Sequence, residues 1–305
     1  MHKRKALVTG GSGFLGSHVA DELSRHGYTV TIFDRAESPW LSQGQHMIVG
    51  DMMDRELVEA TVKGQDVVYH MAGIADIGES YRSPLKTIEC NILGSTWIID
   101  ACARMGVQRF MFASSVYVYS DKGSFYRVSK QAVESILEGY GLQQNLSYTV
   151  LRYGSLYGLR AQDWNGMRSF VKSAVEAGQI TYYGTGEERR EYIHVKDAAR
   201  LSVQALDEKY SGQCLTVTGT QVMTIREMLG MIREICGKDV GLNFTSVGSE
   251  YKESHYSLTP YRYTPKRGSK VVPREFVDLG EGILELVQEV ERECNGDDFE
   301  TMSAI

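Results

Sequence analysis

The sequence predicts an α/β fold: a doubly wound parallel sheet followed by a smaller, mixed α/β lobe. Three observations carry that expectation. Apolar runs of four to seven residues alternate with helical stretches of ten or more through the first half of the chain, the pattern of βαβ units. The first run ends in a glycine cluster that opens the next helix. After about residue 155 the alternation loosens into helices mixed with short strands.

"KALVTG" is a strand that stops at glycine, and "FLGSHVADELSRHG" carries the helical period behind it. "YTVTIFD" and "HMIVG" are the second and third strands, and "DRELVEATVKG" is a helix with a glycine stop. "DVVYHMAG" is the fourth strand. After a loop, "SPLKTIECNILGSTWIIDACARMG" reads as one long helix. "RFMFASS" is the fifth strand, "YRVSKQAVESILEGYG" a helix and "SYTVLRYG" the sixth strand. Beyond it, helices are expected at "DWNGMRSFVKSAVEAG", "VKDAARLSVQALDEK", "TIREMLGMIREICG" and "DLGEGILELVQEVERE". Strands are expected at "ITYYG", "REYIHV", "CLTVTG" and "LNFTSV". The division is therefore residues 1–155 and 156–305, with the helix near 196–208 packing back on the first lobe. No Pro/Ser-rich linker separates them, and the tail from Asn295 is expected to fray.

The glycine spacing has a mechanism. Gly10, Gly13 and Gly16 in "VTGGSGFLGS" permit a tight turn, close approach of backbone to a pyrophosphate, and close helix–strand packing. The backbone of Gly13, Phe14, Leu15 and Gly16 then offers the N–H groups of a helix N-terminus to phosphates. The spacing alone is weak, but its place between strand and helix is what dinucleotide binding requires. Asp34 ends the second strand, where a carboxylate can accept hydrogen bonds from an adenosine ribose and repel a 2′-phosphate. Arg35 beside it has the opposite preference. Asp34 favours NAD, with a turn-capping role as the alternative. Asp51 and Met52 in "GDMMD" fall beside the adenine, although Asp51 also reads as a simple turn acid.

Three tyrosines crowd "SSVYVYSDKGSFYRVSK". Tyr126 and Lys130 lie four apart on one helix face, so an ammonium can stand near the phenol and favour its ionised form. Tyr117 and Tyr119 have Asp121 and Gly123 at that offset. They are expected to share one face of an extended segment as packing or pocket wall. Ser114 and Ser115 end the fifth strand, the edge where an open parallel sheet binds ligands.

These motifs together resemble the extended short-chain dehydrogenase/reductases, in particular the sugar-nucleotide epimerases and dehydratases with a Rossmann first lobe. The matching residues are "TGGSGFLG", "DVVYHMAG", Asn91 in "NILGS", "SSVYVYS", Tyr126 with Lys130, "LRYGSLYG" and "RREYIHVKDAA". The resemblance implies Ser115, Tyr126 and Lys130 as catalytic residues. Tyr126 would be the base and Lys130 the group that holds the nicotinamide ribose and lowers the tyrosine pKa. It implies NAD contacts from Met71, Ala72, Gly73, Asn91, Tyr126, Lys130 and Tyr153. Substrate contacts would come from Ser115, Ser155 and Arg190. A surface ion pair of Arg190 with Glu187 or Glu191 is the plain alternative, and His194 reads as a packing residue. Trp164, Met167, Phe170, Tyr183 and Arg262 are further pocket candidates, Arg262 as a substrate ligand. A homodimer through the helices near 84–104 and 126–140 is also implied.

The chain departs from its relatives in four places. The segment between Tyr119 and Tyr126 is short, which leaves the sugar pocket more open. Ser155 stands where many members have asparagine, and Gly73 replaces a common alanine. Val116 and Tyr117 follow Ser115, where C5–C6 dehydratases carry an Asp-Glu pair and C3/C5 epimerases a cysteine. The chemistry implied is oxidation and re-reduction at C4 of a nucleotide sugar. A dehydratase or 4-ketoreductase is the alternative within the family, and a non-catalytic dinucleotide sensor the alternative outside it.

Bulk properties agree. Hydrophobic residues make up 42% and charged residues 24%, with a net charge of -6, which disfavours nucleic acid as partner. No apolar run approaches membrane-spanning length. The five cysteines are scattered and odd in number, with neither metal nor redox spacing, so no metal is expected and a reducing cytoplasm is.

Overall fold

The computed structural model describes residues 3–237, 239–245, 268–273 and 275–295. Arg262 and the tail beyond Asn295 lie outside the described residues. The strands are β1 (Lys5–Thr9), β2 (Thr29–Asp34), β3 (His46–Val49), β4 (Val67–His70), β5 (Arg109–Ser115), β6 (Tyr148–Tyr153), β7 (Ser155–Tyr157), β8 (Gln179–Tyr183), β9 (Arg189–His194), β10 (Gln213–Val217), β11 (Val222–Thr224), β12 (Gly241–Thr245) and β13 (Gly268–Val271). The helices are α1 (Phe14–Arg25), α2 (Arg55–Val62), α3 (Ile77–Arg82), α4 (Pro84–Ile88), α5 (Ser95–Arg104), α6 (Ser124–Gln144), α7 (Gly166–Ala177), α8 (Val195–Gln204), α9 (Ile225–Cys236) and α10 (Leu279–Asn295).

Eight strands form one parallel sheet in the order β13-β10-β6-β5-β4-β1-β2-β3. Its strands are buried on both faces because successive side chains alternate between two helical layers. Ala6 and Val8 pack with Val19, Ala20 and Leu23 of α1 and with Ala198, Ala199 and Leu201 of α8. Leu7 and Val68 face the other way, toward Val58 of α2, Ile98, Ile99 and Cys102 of α5, and Val133 and Leu137 of α6. The chain leaves β1 in one direction and returns on its other side as β4. A crevice opens at the carboxyl ends of strands at such a switch point.

The second lobe has a core of its own. Met167 and Val171 of α7, Ile225, Leu229 and Ile232 of α9, and Ile283, Leu286 and Val287 of α10 enclose Ile180 and Tyr182 of β8. β11-β9-β7 and β12-β8 are its two small sheets. No described helix is long and apolar enough to cross a membrane.

Three local features differ from the sequence reading. The expected single helix over residues 83–106 is interrupted: α4 passes into a π-helical segment, Glu89–Gly94, before α5. "CLTVTG", read with the second lobe, is β10 and pairs with β6 in the main sheet, with β13 beyond it. Residues Val116–Tyr119 form a 3-10 turn rather than extended chain. Tyr117 and Tyr119 therefore do not share a face.

Candidate active site

A cleft of about 480 Å³ lies at the carboxyl edge of the sheet. β5 delivers Ser115 to its floor. The Ser115 hydroxyl caps the following 3-10 turn, accepting from the Tyr117 amide at 3.3 Å. The chain then turns tightly through Gly123 and Ser124, both at positive φ (92° and 45°), into α6. The first turns of α6 bring Tyr126 and Lys130 over β5. Ser115 and Tyr126 are hydrogen-bonded through their side chains, and the Tyr117 ring packs edge-on against Tyr126 at 6.2 Å.

The electrostatics of this trio differ from the expectation. Burial pushes the Tyr126 phenol above its usual value, and the hydrogen bond from Ser115 opposes that shift. Lys130 is the group that is depressed. Burial lowers its ammonium to about 8, against the raising influence of Cys90 and Glu134. The reason is placement: Lys130 Nζ donates to the Ala113 carbonyl at 2.8 Å and stands 5.7 Å from the Tyr126 ring centre.

Behind the trio is a closed ionic lattice. Arg152 is fully buried and grips Glu134 of α6 at 2.9 and 2.6 Å, while the Ser114 hydroxyl donates to the same carboxylate at 2.6 Å. Arg152 also donates to the Tyr119 hydroxyl at 2.7 Å. Tyr119 is thus turned inward, and Tyr117 alone of that pair lines the cleft. Tyr126 and Glu134 share α6, so the lattice fixes the helix against the strand that carries Ser115.

The other end of the cleft is the glycine loop. Gly10 has φ 72°, and a Cβ there would fall 2.5 Å from the Ala72 amide nitrogen; one on Gly16 would fall 2.1 Å from the Gly10 carbonyl. The loop is therefore folded against itself and against the strand-end segment after β4, with its open side toward the cleft. Helix α1 begins at Gly13 with no side-chain cap and no acid in its first turn, which leaves its N-terminal N–H groups to a ligand. Asp34 lines the cleft while accepting from the Ser12 and Arg35 amides at 3.0 and 2.7 Å, so it braces the loop as well. Asp51 accepts from the Met53 amide at 2.9 Å. A dinucleotide fits this cradle of glycines and helix N-terminus.

The family model for the NAD dependent epimerase/dehydratase family matches residues 6–217. The chain belongs to this family. It is 31% identical over 266 residues to a UDP-glucose 4-epimerase of Neisseria meningitidis serogroup C, covering 73% of this chain and 77% of that protein. It is 30% identical over 261 residues to the UDP-N-acetyl-alpha-D-glucosaminuronate decarboxylase of Bacillus cytotoxicus, with 76% and 80% covered. The crystal structure of a Thermus thermophilus UDP-glucose 4-epimerase in complex with NAD is 25% identical, with a TM-score of 0.77 over 94% of this chain and 99% of that one.

For a member of this NAD-dependent family, most of the sequence-derived residues converge. Gly10, Gly13, Phe14, Leu15, Gly16, Asp34, Arg35, Asp51, Met52, Met71, Ala72, Gly73, Ser115, Tyr126, Lys130 and Tyr153 all line the cleft. Asn91 is placed behind it. It is buried on the π-helical segment, with its amide accepting from the Ile74 N–H at 2.7 Å and donating to the Ile74 carbonyl at 2.9 Å. The same contact accounts for Gly73, whose φ is 143° and whose Cβ would come within 2.9 Å of Asn91 Oδ1. Ser155 and Arg190 are not among the lining residues; Arg190 is buried in β9 and donates to the Arg189 carbonyl at 2.9 Å. Glu187 and Glu191 pair instead with Arg226 and Lys270. Sequence reasoning missed Asp76, Glu79 and Gln162, which line the cleft from segments that carry no motif.

Proposed function

We propose that this protein is an NAD-dependent nucleotide-sugar 4-epimerase, with UDP-sugars as the class its relatives favour. The observation that carries the reading is the hydrogen-bonded Ser115–Tyr126 pair at the end of β5, facing one cleft with the glycine loop. The Gly13–Gly16 backbone, Asp34 and Lys130 are the groups to hold the cofactor, whose chemistry when bound is reversible hydride acceptance. Tyr126 takes the proton of the sugar C4 hydroxyl as the ketone forms and returns it when the alcohol is restored. Ser115 orients that oxygen by its hydrogen bond. The short 120–125 loop folds on the Tyr117 ring, with Gly123 so close that a Cβ would sit 2.7 Å from it. None of its residues lines the cleft, so the sugar end is left room for the keto intermediate to turn over.

A dehydratase needs a further acid, and Asp76 and Glu79 stand in the cleft wall. Both carboxylates are engaged: Asp76 caps α3 at the Gly78 amide at 2.8 Å, and Glu79 pairs with Lys86 at 3.0 Å. That favours the epimerase. Turnover of UDP-sugars in D₂O decides between them. An epimerase returns product of unchanged mass with C4 inverted. A product lighter by one water, with deuterium at C5, would establish the dehydratase reading, and deuterium at C3 or C5 without that loss would overturn a simple C4 epimerase.

We also propose a homodimer and a cytoplasmic location. Tyr81, Leu85 and Ile88 on α3 and α4 and Phe125 and Val128 on the adjoining α6 are exposed apolar side chains, suited to a second copy of the same face. A monomer by light scattering would remove that reading. The five cysteines are free thiols, in keeping with a reducing compartment.

A further inference from the structure

The second lobe reaches the glycine loop through the segment after β7. Leu156 and Ala161 pack with Phe14, Leu15 and Val195 against the first turn of α1. His18 of α1 is hydrogen-bonded to the Leu159 carbonyl at 3.1 Å. Arg160 then adopts a left-handed backbone conformation, φ 65°, which a non-glycine residue holds only when its surroundings fix it. Here three contacts do so. Its N–H donates to the Glu289 carboxylate at 2.9 Å, its guanidinium pairs with Asp21 at 2.9 Å, and the same group lies 5.0 Å over the Trp40 ring. Glu289 comes from α10, and Asp21 and Trp40 come from the first lobe, so Arg160 latches the two lobes together.

Two residues later, Gln162 lines the cleft. Its Nε2 is 3.8 Å from the position a Gly13 Cβ would take. Its Oε1 is buried without a hydrogen-bond partner. That oxygen is an acceptor and gains nothing from an anion; the group that bears on the loop is Nε2, a donor with no hydrogen-bond partner among the described residues. What the arrangement achieves is a neutral donor beside the uncapped start of α1, on the open side of the glycine loop.

Building on the NAD reading of the cleft, we propose that Gln162 is a diphosphate ligand supplied by the second lobe, aimed by the Arg160 latch so that Nε2 donates to the cofactor's pyrophosphate. Cofactor binding then draws on both lobes, and the glycine loop is one half of the phosphate site.

The test is calorimetric titration of the full chain, freed of nucleotide, with NAD, ADP and adenosine. A hydrogen bond to a charged acceptor implies that Gln162→Leu weakens NAD and ADP roughly 10- to 100-fold and leaves adenosine unchanged. Gln162→Glu, the same in shape, should weaken ADP further still, more at low salt than at high, because a carboxylate faces the diphosphate. Unchanged ADP affinity in both variants, or equal losses for ADP and adenosine, would overturn the proposal while leaving the NAD reading intact. Wild-type protein that binds no NAD would overturn both. The isosteric Glu variant keeps the test decisive if Gln162→Leu proves poorly folded.

Discussion

Acid should unfold this protein through three histidines that the fold buries as neutral bases. Burial lowers His18 to about 4, with Arg160 adding to the effect. It lowers His70 to about 3, with Lys130 adding, and His194 to about 3, with Lys196 adding. Each is almost wholly inaccessible. His70 is hydrogen-bonded at both ring nitrogens, to Thr9 at 2.7 Å and Ser95 at 2.8 Å. In the unfolded chain all three titrate near 6.5. The folded values lie below the unfolded one, so the unfolded state binds more protons in between. Stability is therefore complete above about pH 6.5 and is lost as pH falls toward 4 and 3. At pH 5 the loss is about 2 kcal/mol per histidine, roughly 6 kcal/mol together, comparable with the ~5–15 kcal/mol of a whole domain. The carboxyls of Glu289 and Asp197, which burial holds above their ordinary range, work in the opposite sense nearer their own titration. Urea unfolding between pH 7 and 5 measures the sum. The expected slope near pH 5 is about 4 kcal/mol per pH unit, and His18→Gln should remove about a third of it. Stability that is flat from pH 7 to 5 would refute the reasoning.

Tyr126→Phe should reduce turnover by roughly 10²–10⁴ with NAD affinity retained in a binding titration. Tyr117→Phe should stay mostly active, and so should Tyr119→Phe, although the latter costs about 1–3 kcal/mol of stability by removing the acceptor of Arg152; a dead Tyr119→Phe enzyme would contradict this assignment. Arg152→Met strands the Glu134 carboxylate in the core and should cost about 3–5 kcal/mol in chemical denaturation, part of it recovered by adding Glu134→Leu; additive losses in the double variant would mean that the two groups do not act as a pair. Wild-type protein should bind NAD more tightly than NADP because Asp34 stands at the end of β2, and Asp34→Ala should narrow the gap; tighter NADP binding by the wild type would mean that Arg35 governs the choice.

The first lobe was legible because its signals are local. A glycine loop between strand and helix, an acid at a strand end, and Tyr126 four residues before Lys130 each state their geometry within one turn or strand. What escaped the sequence depends on contacts between distant segments. β10 reads as any short strand, and only pairing with β6 decides its sheet. Arg152 looks like one more strand residue, yet it meets Glu134 and Tyr119 from two other elements. Tyr117 and Tyr119 have the spacing of a strand face, whereas the turn capped by Ser115 sends one to the cleft and the other to the Arg152 guanidinium. Gln162 has no motif because its position comes from Arg160, whose partners lie 139 and 129 residues away.

The wide turn at Glu89–Gly94 has an evolutionary corollary. A helix advances about 100° per residue, so the accommodated residue sets α4 out of phase with α5. That phase decides where Asn91 points, and Asn91 holds Ile74 at both backbone atoms, beside Gly73 at the edge of the cleft. Losing one residue from this stretch would straighten the helix and leave almost every side chain chemically unchanged. It would also swing Asn91 away from the loop and release the segment that closes over Gly10. The exposed Leu93 can therefore be exchanged letter for letter at little cost, but the count of residues between Pro84 and Ser95 is fixed by where Asn91 must point.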